Sequence, residues 1–110
     1  MRSPEDGVLL RIFLGEDDKQ GHLPLYEAIV LKAREMHLAG ATVIRGPMGF
    51  GYSGFIHTTK ILRLSEDLPL VIEIVNHQDK IDAFLPVLSG MMVGGLVTLQ
   101  GVRILRYGAP

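Results

Sequence analysis

The chain has 110 residues, no cysteine, a formal net charge of −1 and 47% hydrophobic residues, with a mean hydropathy of +0.27 and a pI near 6.4. That length fits one domain spanning residues 1–110, and the lack of thiols excludes disulfides, zinc–thiolate sites and thiol catalysis. Lysines and arginines are spread along the chain, which argues against nucleic acid as a partner, and no apolar run reaches the roughly 18 residues needed to be embedded in a membrane.

Apolar content this high in a small domain points to surface covered by other subunits. The polar start from Met1 to Asp6 leads straight into a strand and does not read as a signal peptide, so a cytoplasmic location is expected. Residues 8–14 form a mostly apolar run bounded by Pro4, Gly7 and Gly15, which predicts a central strand. Residues 15–21 are a polar turn, and Pro24 suits the first turn of a helix. From 25 to 38, Leu25, Ile29, Lys32/Ala33 and Met36 recur at three- and four-residue steps, one buried helical stripe that Gly40 is expected to end.

Residues 41–44 begin a second strand that runs into a loop at 45–60. Gly46, Gly49, Gly51 and Gly54 crowd this loop, with Pro47 among them. Glycine accepts unusual backbone angles and allows close approach to the main chain, so such spacing describes a shaped loop. It could cradle an anion, with Arg45, Lys60 and Arg63 supplying charge. Alternatively it is a hairpin arm whose glycines serve only its turns. Phe50, Tyr52 and Phe55 on such an arm suit contact with a partner protein. Residues 56–64 alternate imperfectly, as a β-arm or an extended loop, and 65–69 form a turn.

Residues 70–75 are the clearest strand. Asn76 is the expected N-cap of a second helix, with Asp79 returning the hydrogen bond. Ile81, Phe84, Leu85 and Leu88 form its core stripe, and Pro86 is expected to kink or shorten it. A second glycine-rich turn follows at 89–95 and includes Gly90, Gly94 and Gly95. Residues 96–105 close the domain as a strand, with a possible break at Gly101 and with Arg103 and Arg106 near its end. The order β-α-β-β-α-β predicts an α+β ferredoxin-like sandwich: a four-stranded antiparallel sheet with two helices on one face. The opposite face then needs another cover, and identical subunits supply the simplest one.

Several short motifs carry a resemblance. Gly15–Lys19, Pro24–Val30, Ala39–Val43, Arg45-Gly46, Met48–Gly51, Ile56–Thr58, Lys60–Pro69 and Val71–Val75 resemble the domain-of-unknown-function 190 family of the PII-like superfamily. The resemblance spans nearly the whole chain. It implies a PII-like homotrimer with clefts between neighbouring subunits, where relatives bind adenine nucleotides and act as regulators. It also implies that 45–60 is the loop that grips a partner protein, by analogy a membrane transporter. On the same resemblance, 89–95 is a second phosphate-contacting loop, and Arg103 and Arg106 come from the strand that supplies terminal arginines. Two departures weaken the phosphate contacts. Leu70 stands where nucleotide-binding members carry lysine, and Met91, Met92 and Val93 replace charged residues. Backbone amides can still hold phosphate.

His22, His37, His57 and His77 show no ligand-like spacing, so a surface role is the plainer reading. His57, beside Thr58 and Thr59, is the metal candidate to test first. Glu16, Asp17 and Asp18 read as a solvated turn, and Ser53, Ser65 and Ser89 lack any nucleophile context, so no enzyme is expected. Two main readings result: a PII-like regulatory protein binding a small anionic metabolite, with an adenine nucleotide as one option, or a trimeric divalent-metal binder resembling the cation-tolerance branch of this fold. A third is a trimer whose loop only completes its own interface.

Overall fold

The computed structural model describes residues 3–50, 57–58 and 67–107, with 57–58 described for the backbone alone. Its first strand, β1 (Glu5–Gly15), is the central element. Side chains alternate across a strand, so Val8, Leu10, Ile12 and Leu14 are buried on one face while Leu9, Arg11 and Phe13 stay half-buried on the other. It is longer than expected at both ends, because Glu5, Asp6 and Gly7 pair with Ile104, Arg103 and Val102, and Gly15 pairs with Pro69.

The polar turn after β1 contains a two-rung ribbon, β2 (Lys19–Gln20) against β3 (Leu23–Pro24), which sequence patterning missed. Then come α1 (Leu25–Glu35), β4 (Thr42–Arg45), and β5 (Met48–Gly49) paired with β6 (His57–Thr58). The chain closes with β7 (Pro69–Asn76), α2 (Gln78–Met91) and β8 (Leu96–Ile104). The sheet order is β4-β7-β1-β8, every pairing antiparallel. This is the ferredoxin-like α+β arrangement.

Leu25, Ile29 and Ala33 of α1 and Ile81, Phe84 and Leu88 of α2 pack on the even-numbered side chains of β1 and β7 as one core cluster. Each fully buried Leu, Ile or Phe contributes roughly 1.5–3 kcal/mol. The other sheet face carries no helix. Across it, Leu9, Phe13, Val71, Val75, Ile44 and Leu96 surround a central Arg11–Glu73 ion pair, Nε to Oε2 2.8 Å.

Five local expectations need correction. Helix α1 does not run to Gly40. It stops at Met36, where His37 takes a left-handed φ of 62°. The His37 amide bonds Arg34 O at 3.0 Å and the Leu38 amide bonds Ala33 O at 3.1 Å, a Schellman closure. Leu38, buried, caps the core there, which is why the turn comes before the glycine.

Asn76 is not the N-cap of α2. It is the buried last residue of β7, His77 holds the cap position, and no side-chain cap bond is present, so Asp79 completes no capping box. Pro86 does not shorten α2, which continues to Met91. Pro86 is exposed, so the Asp82 carbonyl that it leaves without a helical donor faces water. The second glycine turn is shorter than expected, since Ser89, Gly90 and Met91 are helical. Strand β8 passes through Gly101 unbroken, with Gly101 opposite Val8.

Candidate functional site

Three chain segments converge at the end of the sheet where β1 and β4 finish and β7 starts. Arg45 closes β4, and its guanidinium is ion-paired with the Glu16 carboxylate from the turn after β1. The Glu16 amide bonds Leu68 O at 2.9 Å and the Asp17 amide bonds Asp67 Oδ1 at 2.8 Å, tying that turn to the entry of β7. Asp18 closes it from within, its Oδ2 3.0 Å from the Gly15 amide. An exposed pair such as Arg45–Glu16 is worth under about 1 kcal/mol. It nonetheless engages one Nη of Arg45 and partly neutralises its charge, leaving further guanidinium donors on a side chain that is more than half exposed.

Gly46 and Gly49 both pack closely against Pro69. A Cβ on either would lie 3.0 Å from Pro69 Cγ, and the Gly46 amide bonds Pro69 O at 2.8 Å. The base of the 45–60 loop therefore lies against the Pro69 ring at Gly46 and again at Gly49, within the short β5–β6 ladder in which Met48 is opposite Thr58 and Gly49 opposite His57. Phe50 leaves this ladder 71% exposed. Of the remaining loop candidates, Gly51, Tyr52, Phe55, Lys60 and Arg63 lie outside the described residues. His57 is placed by its backbone only.

Gly94 and Gly95 lie at the same end of the sheet, on its opposite edge. Gly95 has φ +94°, and a Cβ there would sit 2.7 Å from Phe13 O, so only glycine fits. Gly90 is exposed within α2, where an added Cβ would meet open space, and so lies in the helix and not in the loop. Between the end of α2 and β8 runs a shallow, mostly apolar groove of about 400 Å³, lined in part by Leu85, Leu88, Met92 and Val97.

Arg103 and Arg106 are at the far end. Arg103 Nε is 3.6 Å from Asp6 Oδ1, both side chains exposed, and Arg106 is also exposed. Arg103 lies eight residue steps along the strand from Gly95, about 26 Å at strand rise. The edges carrying Arg45 and Gly95 are three strand spacings apart, about 14 Å. One chain thus brings together Arg45, Gly46 and Gly49. It places Gly94 and Gly95 on the other edge and keeps both terminal arginines at the other end.

Sequence reasoning missed Glu16 as the partner of Arg45 and Pro69 as the floor of the loop. It also missed a cluster at the far end. Buried Asn76 accepts hydrogen bonds at Oδ1 from Tyr107 OH, 2.8 Å, and from the His77 amide, 2.9 Å. A polar residue interrupting the alternation of β7 at its last buried position was the available signal.

The chain matches DUF190, described as an uncharacterized ACR, over residues 7–104. A UPF0166 protein of Aquifex aeolicus is 38% identical over 97 residues, covering 88% of this chain and 91% of its own length. Among solved structures, CPII of Thiomonas intermedia K12, a nitrogen regulatory PII-like protein bound to ADP, AMP and bicarbonate, superposes with a TM-score of 0.66. It is 16% identical, and the match covers 97% of this chain and 98% of CPII. CutA of Xylella fastidiosa reaches a TM-score of 0.57 at 16% identity, covering 93% of this chain and 86% of its own. Identities this low establish a shared fold, while the sequence relatives establish the family. The chain belongs to the DUF190 family and has a PII-like fold.

Proposed function

We propose that this protein is a PII-like regulatory protein that binds a small anionic metabolite, with adenine nucleotides the first class to test, in clefts between the subunits of a homotrimer. The observation that carries the reading is the separation of the candidate residues. The glycine loops and Arg45 are at one end of the sheet, and Arg103 and Arg106 are at the other. They make one site only if a second copy brings its far end alongside. The helix-free face, apolar around the Arg11–Glu73 pair, is the surface on which copies would pack, and stable association needs such area. The nucleotide-bound state of CPII supports the ligand class by likeness of fold.

In this reading the ligand works as a switch. Phosphate oxygens compete with Glu16 for Arg45, and the winner decides how the base of the 45–60 loop is held against Pro69. A ligand shifts a loop only by its difference in affinity for the two states. Phe50, already exposed at the ladder, begins the surface offered to a partner protein; Tyr52 and Phe55 extend it in sequence.

Calorimetric titration of the purified protein with ATP, ADP, AMP, cyclic nucleotides and bicarbonate tests the reading. Saturable heat with at least one nucleotide is expected. No heat up to about 1 mM, where binding is worth only roughly 4 kcal/mol, removes the nucleotide class. The divalent-metal reading rests on the weaker likeness to CutA, and zinc and copper titrations of His57→Ala and His22→Ala belong in the same series. Unchanged uptake in both variants removes it.

A further inference from the structure

The chain does not simply trail away after β8. Ile104, the last residue of the strand, is buried over Gly7, where even a Cβ would come within 2.3 Å of Ile104 Cδ1. Three residues on, Tyr107 donates its hydroxyl hydrogen to Asn76 Oδ1 at 2.8 Å, and its ring lies against His77 with centroids 4.7 Å apart. His77 in turn has Nε2 2.9 Å from Glu5 Oε2, so the start of β1 joins the cluster. Only Leu105 and Arg106 span the gap between the two anchors, and both point out into solvent.

Asn76 shows that this clasp is more than incidental contact. It is wholly buried, and its Nδ2 has no hydrogen-bond partner among the described residues. Burying an incompletely satisfied amide is unfavourable, and an apolar side chain would fill the same strand position without that penalty. What the amide provides is an acceptor shared by the His77 amide and the Tyr107 hydroxyl. We propose that Tyr107 is a positioning residue: by clasping Asn76 it fixes the two-residue span that carries Arg106, and so presents this arginine, with Arg103, to the ligand cleft of a neighbouring copy. The proposal rests on the cleft reading above and adds a residue to it. An arginine on a frayed terminus must lose chain freedom when it grips an anion, whereas one held between two anchors has already lost it.

The substitution Tyr107→Phe isolates the effect. It removes one donor, yet Asn76 Oδ1 keeps the His77 amide, so no new unsatisfied acceptor is created in the core. The test is calorimetric titration with ADP and AMP of the wild type, Tyr107→Phe, Arg106→Ala and the double variant, together with amide exchange at residues 105–107 without ligand. We expect Tyr107→Phe to weaken nucleotide binding about three- to tenfold, as loss of one hydrogen bond implies. The same change should be without further effect once Arg106 is alanine, and exchange at 105–107 should quicken. If the wild type gives heat but Tyr107→Phe binds equally well, or its loss adds in full to that of Arg106→Ala, the role of Tyr107 is wrong and the cleft reading stands. Unchanged exchange also overturns the clasp. No heat from the wild type takes down the cleft reading and this role together.

Discussion

His37 takes a left-handed backbone because the core needs Leu38 back under α1 after a single turn, and the turn residue happens not to be glycine. The strain at such a position is about 1–2 kcal/mol for an ordinary residue. His37→Gly should therefore raise stability by about 1 kcal/mol, seen as a melting temperature several degrees higher; a lower one would mean that the imidazole holds the turn. Gly95 is the opposite case. With φ +94° and Phe13 O in the space of a Cβ, Gly95→Ala should destabilise the fold by about 1–3 kcal/mol in a denaturant titration. Apolar periodicity made the strand and helix cores readable in advance. It could not separate Gly40 from His37 as the helix terminator, because the choice is made by tertiary burial of Leu38. Nor could it tell that Gly46 and Gly49 lie close against Pro69, a contact between elements some twenty residues apart in sequence.

Each strand of the main sheet was legible from composition, whereas the ends of elements were not. Helix α2 absorbs Pro86 because that residue is on the wet face, so the cost is confined to one missing hydrogen bond and local ring contacts. Replacing it by alanine should stabilise the protein by about 1–3 kcal/mol in thermal unfolding; no gain would show that the proline fits the helix without strain. Asn76 looked like a cap because it follows a strand and precedes a helix, yet burial made it an acceptor for the tail instead. The turn after β1 was read as solvated acid, and it is mostly that, but Glu16 is committed to Arg45. Glu16→Gln should leave the melting temperature nearly unchanged and tighten nucleotide binding a few-fold, since an exposed ion pair is worth under about 1 kcal/mol. Weaker binding in that variant would place Glu16 on the ligand side of the switch.

At the scale of the whole molecule, the described residues include no helix long and apolar enough to cross a membrane. Much of the exposed apolar surface lies on the sheet, at Val43, Ile44, Val75, Leu96, Val97 and Leu99, with Phe50 and Val93 exposed outside the strands. Light scattering should report about three times the 12.1 kDa chain mass at micromolar concentration. The candidate site was legible from sequence as a set of residues but not as an arrangement, since no spacing rule says that Arg45 and Arg106 occupy opposite ends of one sheet. Complementation between two damaged chains tests that arrangement most directly. Neither Arg45→Ala alone nor Arg103→Ala/Arg106→Ala alone leaves an intact shared cleft. When the two variants are refolded together in equal amounts, one cleft of the three in every mixed trimer, roughly a quarter of all clefts in the mixture, should receive both good ends. Calorimetry of the mixture with ADP should then recover about that fraction of sites at wild-type affinity. A mixture that binds no better than the separate variants, while the wild type binds, would contradict a site shared between subunits.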